Sequence, residues 1–143
     1  MMPLQSPVTR LPDWPARLHA VVVVRLQLPF AWGVNDCALW VADAVAAMLG
    51  RDALAELRQP VRRTAAQAYR AVRRRGGYAA ALARAGLQPV PPACAQRGDV
   101  ALLPAPGQPT PALAICMGAD AAAPGPHGLV TMPMAQATAA WRV

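Results

Sequence analysis

Apolar positions in the first half of the chain recur at helical spacing, whereas those after residue 87 fall in short runs separated by proline and glycine. Leu18, Val21, Val22 and Leu26, with Val24 beside them, predict a first helix. Asp13 would cap it, Pro15 suits its first turn, and Pro29 would end it near Leu28. Asp36 to Leu49 is apolar nearly all round, with Asp43 the only charge beyond its start, and Gly50 closes it. A helix without a polar face is buried on most sides, so this one is predicted to be central. Asp52 suits the cap of a short turn over Ala53 to Leu57, broken at Pro60. Thr64 would cap a helix through Arg75 with Ala65, Ala68, Tyr69 and Val72 inward, and Tyr78 to Ala85 reads as a further short helix stopped by Gly86.

Pro89, Pro91 and Pro92 then exclude helix. Asp99 to Leu103, Leu113 to Met117 and Gly128 to Met132 read as strands, and Ala139 to Val143 suits a closing strand. The proline-rich stretches 89–92, 104–111 and 124–126 read as loops. Helices followed by an antiparallel sheet make an α+β protein, and 143 residues suit one domain spanning 1–143.

Composition narrows the classes. Hydrophobic residues make up 55% of the chain, which argues against disorder. No apolar run reaches the ~18 residues of a membrane span. Met1 to Asp13 carries three prolines and no basic cluster ahead of an apolar segment, so no signal peptide is expected. Cys37, Cys94 and Cys116 are widely spaced, form no C-x-x-C pair and have only two histidines for company, so neither a metal site nor a disulfide framework is expected, and no cofactor. Cys94 and Cys116 read as packing residues. The net charge is +7, carried entirely by arginine. Eight arginines lie between Arg58 and Arg84, with no acid between Glu56 and Asp99. That is a positive face, but the segment lacks the interleaved aromatics or motif of a nucleic-acid module, so nucleic acid is not the expected partner.

The chemistry concentrates in Phe30 to Asp43. An aromatic-glycine turn leads to Asp36-Cys37 at the start of the central helix. With Asn35 or Asp36 as the cap, Cys37 falls in the first turn, where free amides and the helix dipole favour a thiolate. Phe30-Ala31-Trp32-Gly33 followed by Asp36-Cys37 resembles the signature of the NlpC-like family of papain-fold cysteine peptidases, which cut peptide stems of bacterial cell wall. Gln96-Arg97-Gly98-Asp99-Val100-Ala101-Leu102-Leu103 resembles the Gly-Asp pair that opens that family's first sheet strand. The resemblance implies a papain-like fold, with Cys37 as the candidate nucleophile on a buried helix facing a C-terminal antiparallel sheet. It sets Trp32, Asp36, Trp40 and Asp99 as candidate binding or bracing positions, with Asp99 also suited to capping the strand.

The next family strand, His-Val-Gly-Ile-Tyr-x-Gly, corresponds to Ala112-Leu113-Ala114-Ile115-Cys116-Met117-Gly118, so the base position falls on Ala112. Only His19 and His127 remain. His19 lies within the first helix among valines, where packing is the ordinary role. His127 lies in a turn before a strand, as a surface histidine or a displaced base. Without a base, acid–base assistance of about 10²–10⁴-fold is lost.

Trp32-Gly33, Asp36-Cys37-Ala38-Leu39-Trp40, Arg73-Arg74-Arg75-Gly76 and Ala140-Trp141-Arg142-Val143 further resemble a branch of the family encoded in tail gene clusters of phages, prophages and gene transfer agents. That implies a virion component at the tail tip or baseplate, with tail hub proteins and cell-wall peptide as partners. The expected function is a structural tail protein with a degenerate peptidase fold; the alternative is an active peptidoglycan endopeptidase using Cys37.

Overall fold

The computed structural model describes residues 8–108 and 110–143, so most of the leader expectation lies outside the described residues. Four helices precede the main body of the sheet: α1 (Trp14–Arg25), α2 (Cys37–Leu49), α3 (Ala65–Arg74) and α4 (Tyr78–Arg84). Six strands follow: β1 (Gln88–Val90), β2 (Val100–Leu103), β3 (Ala112–Cys116), β4 (Asp120–Gly125), β5 (Gly128–Pro133) and β6 (Ala139–Arg142). They form one sheet in the order β1-β6-β2-β3-β4-β5, every neighbour antiparallel. The α+β architecture is therefore as the periodicity predicted.

The predicted central helix is α2. Ala38, Trp40, Val41, Ala42, Ala44, Val45, Met48 and Leu49 are all buried along it. It packs on Leu113, Ile115, Ala122, Val100 and Trp141 from one face of the sheet. The opposite face carries a smaller cluster of Ala101, Leu103, Ala114, Ala121 and Ala123, covered by Met132, Met134 and Ala137. This two-sided burial follows from the strand period of two.

Three elements depart from the sequence reading. First, α1 stops at Arg25, not Leu28, and Asp13 ion-pairs with Arg17 at 2.8 Å without capping the helix through its side chain. The chain must turn there to bring the Phe30 amide onto the Gly125 carbonyl at 2.8 Å, and the residue before Pro29 is biased away from helix. Arg25 turns inward to an ion pair with Asp43, while Val24 and Leu26, expected on the inner side, are exposed. Second, Pro124 and Gly125 end a strand; the two-residue turn is Pro126-His127. Third, Pro89 sits in the short edge strand β1, where a missing amide is tolerated.

Candidate functional site

The loop between α1 and α2 is built to present Cys37. Asn35 is fully buried and its Nδ2 donates to the Leu28 and Pro29 carbonyls, both at 3.1 Å. Its own amide donates to the Ala31 carbonyl at 2.8 Å, closing the turn. Gly33 has φ 73°, and a Cβ there would lie 2.6 Å from the Arg62 carbonyl oxygen, so only glycine fits. The Asp36 carboxylate accepts from the Leu39 amide at 3.0 Å and the Gly33 amide at 3.1 Å, making it both helix cap and turn clamp. The buried Arg62 guanidinium lies 3.5 Å from the same carboxylate.

Cys37 is thus the first residue of α2, half-buried, on a groove of about 530 Å³. Phe30 and Trp32 form one wall, edge to face with ring centroids 4.7 Å apart. Ala112, Pro124, Gly125 and Pro126 form the sheet side, and Ala65 from the start of α3 joins the rim with Gln108 and Thr110. Apart from Cys37, none of the described lining residues ionises.

The register explains the opening. β3 and β4 pair at Ile115 with Ala122 and at Cys116 with Ala121, and no further. One step on but one, Leu113 would face Pro124, at a position where both strands exchange hydrogen bonds. Pro124 has no N–H to give, so the strands part there. The Leu113 backbone instead acts on the Cys37 thiol, favouring its thiolate. The Trp40 indole donates at 2.9 Å to the Ala122 carbonyl at the fork.

Electrostatics at the sulfur differ from the expectation drawn from the helix start. Burial pushes the Cys37 thiol above its ordinary value, and the Asp36 charge adds to this. The Leu113 backbone, the Tyr78 hydroxyl and Arg62 act the other way without offsetting it. Desolvation outweighs the free amides of the first turn, so the neutral thiol is favoured. Tyr78 Oη lies 4.0 Å from Sγ. Burial, followed by Cys37 itself, drives the phenol far above its usual range, so it stays protonated. The Thr110 hydroxyl on the groove rim acts the other way on the Tyr78 phenol without offsetting this.

The structure brings only some of the predicted residues together. Cys37 and Trp32 share the groove, with Asp36 directly behind the sulfur. Ala112, at the expected base position, does line the groove beside Cys37. His127 is exposed in the β4–β5 turn; its neighbour Pro126 lines the groove, but the imidazole does not and makes no hydrogen bond to the sulfur. His19 is exposed on α1. Trp40 is fully buried in the core and has no face on the groove, which corrects its assignment as a cleft residue. Asp99 is also fully buried, away from the groove lining. It accepts from Arg10 at 2.8 Å, Gln96 N at 2.9 Å and Val143 N at 3.1 Å, with Arg142 at 3.4 Å. It is a clasp between the two ends of the described chain. Cys94 is exposed, contrary to a packing role, whereas Cys116 is buried as expected. Tyr78, Thr110, Arg62 and the Leu113 amide were not singled out from the sequence. Only the helix start at Tyr78 carried a signal, and that signal said nothing about its neighbour 41 positions earlier.

Residues 9–143 match the family described as Domain of unknown function (DUF6950). The chain belongs to that family. The DUF6950 match covers the clasp, the groove and the whole sheet, so both motifs lie inside one family unit. No curated protein and no solved structure matches this DUF6950 chain. Among its described residues no helix is long and apolar enough to cross a membrane, and no cluster of three metal-ligating side chains occurs.

Proposed function

We propose that this chain is a structural component of a phage-type tail tip or baseplate, built on an NlpC-like, papain-type scaffold whose catalytic site is degenerate. The observation that carries the degenerate site is Ala112: a side chain without acid–base chemistry lines the same groove as a half-buried, neutral thiol. A cysteine nucleophile needs a base within hydrogen-bond reach, and Tyr78, held protonated, cannot accept the proton. The papain-type reading is supported by a cysteine at the start of a buried helix that packs on an antiparallel sheet. The tail assignment rests on the sequence resemblance of the Trp32 to Trp40 stretch and of the C-terminal Ala140 to Val143. In this reading tail hub proteins are the partners, the groove is a relic of peptide binding, and the protein is carried in the virion.

The test is incubation of the purified chain with defined muropeptides, read by mass spectrometry, beside Cys37→Ala and Ala112→His. The proposal expects no cleavage by the natural chain. It expects Ala112→His to raise the alkylation rate of Cys37 near neutral pH by about tenfold or more, as an adjacent imidazole does for a thiol. Cleavage by the natural chain that Cys37→Ala abolishes would establish the endopeptidase reading instead.

A further inference from the structure

Six of the seven acids are engaged by arginine: Asp13, Asp36, Asp43, Asp52, Glu56 and Asp99. Among the described residues this leaves Arg51, Arg63, Arg70, Arg73, Arg74 and Arg97 without an acidic partner. Four of these are on α3 or immediately before it, and all four are exposed. Their placement is ordered. At about 100° per residue, Gln67, Arg70 and Arg74 fall on one narrow stripe of α3, with Arg73 at its side and Arg63 in the segment leading into the helix. Arg70 repels Arg73 and Arg74 across single turns of the helix, and no acid of the chain relieves this.

The stripe has an apolar end. Val61 is 58% exposed just before Arg63, and Val34 is 69% exposed on the turn that presents Cys37. Val61 lies against the same turn, since a Cβ on Gly33, the residue before Val34, would come within 3.2 Å of Val61 Cγ1. We propose that this face, Val34 and Val61 continued by the arginines of α3, is the docking surface for an acidic segment of another protein.

The occupant follows from the surface. Uncompensated guanidiniums call for carboxylates or phosphates from outside the chain. Exposed valines at one end of a row of arginines suit a protein segment that carries apolar side chains next to its carboxylates. A nucleic acid would use stacking aromatics, and the one aromatic of α3, Tyr69, is already covered by the Arg73 guanidinium, 5.4 Å from its ring centre. The surface does not depend on any chemistry at Cys37.

The experiment is fluorescence anisotropy on the full chain with three labelled probes of equal negative charge. These are a glutamate-rich peptide with a central leucine pair, a glutamate-rich peptide without leucines, and an oligothymidylate. The leucine-containing peptide is expected to bind about tenfold tighter than the other two, and more weakly as salt rises. The exposed triple variant Arg63→Gln, Arg70→Gln, Arg74→Gln is expected to lose tenfold or more in affinity, with a melting temperature no lower than that of the natural chain because the like-charge repulsion on α3 is relieved. Val34→Ser with Val61→Ser is expected to erase the preference for leucine. Equal or tighter binding of the oligothymidylate would make the face a nucleic-acid surface and overturn the proposal. So would unaltered binding by the triple variant, or no binding of either peptide.

Discussion

Asp36 and Asp99 are two buried carboxylates in glycine-containing turns, and the regions around them have been put to different uses. Asp99 is enclosed by two arginines and two backbone amides, and these tie residue 10 to residues 142 and 143. Gly98 beside it has φ 94°, and a Cβ there would meet the Arg10 guanidinium at 2.8 Å and the Met48 sulfur at 2.9 Å. Nothing is left open. Asp36 is also hydrogen-bonded to two amides, but its one arginine is at 3.5 Å and its neighbour Cys37 faces a groove. The Asp99 turn holds the two ends of the described chain together; the Asp36 turn supports a surface. Two similar local sequences therefore carry different meanings, decided by what the rest of the chain packs around each.

The largest expected effect separates them by stability. Asp99→Ala strands two guanidiniums and two amides, and should cost roughly 3–5 kcal/mol in chemical denaturation, as removing one partner from a buried ion pair does. Asp36→Ala removes the helix cap and strands the buried Arg62 guanidinium, a single and looser pair at 3.5 Å, and should cost less, about 2–3 kcal/mol. Equal losses would erase the distinction between clasp and support.

A smaller effect tests the thiol. The folded chain holds Cys37 above the ordinary thiol value, so the unfolded chain loses this proton first as pH rises. The contribution is fully present below the unfolded pKa of about 8.5 and is lost as pH rises through the higher folded value. Denaturation midpoints of the natural chain should therefore fall more steeply above that pH than those of Cys37→Ala. Parallel curves would mean that burial does not govern the sulfur. Tyr78→Phe removes a group that favours the thiolate, so Cys37 alkylation near neutral pH should slow a few-fold. The smallest expectation is for His127→Ala, within about 0.5 kcal/mol of the natural stability, as for other exposed positions. Its alkylation rate should also be unchanged; a slower rate would bring that imidazole back to the groove.

The helices were readable because their signals agree. Asp36, the unbroken apolar surface and Gly50 together predict α2, and Thr64 and Gly86 mark the start of α3 and the end of α4. β4 was hidden because Ala121, Ala122 and Ala123 supply little strand propensity, and Pro124-Gly125 reads as a turn. It forms because tertiary pairing with β5 outweighs local preference. The overlong α1 has the opposite cause: Val23, Val24, Leu26 and Leu28 continue an apolar run that the fold leaves exposed. At the site, Cys37 and its cap were legible as a contiguous motif. Tyr78, Arg62 and the Leu113 amide arrive from distant segments, and a backbone amide has no sequence signature.

One imino acid has a consequence for how the thiol is reached. Because residue 124 has nothing to donate, one of the two bonds that would carry the ladder past Ala122 is missing, and the pairing stops there. Access to the sulfur is then a fixed notch in the sheet, and no flap has to swing aside to admit a visitor. Restoring a donor there with Pro124→Ala would offer the Leu113 carbonyl a partner and let the ladder close by another rung, narrowing the notch from within.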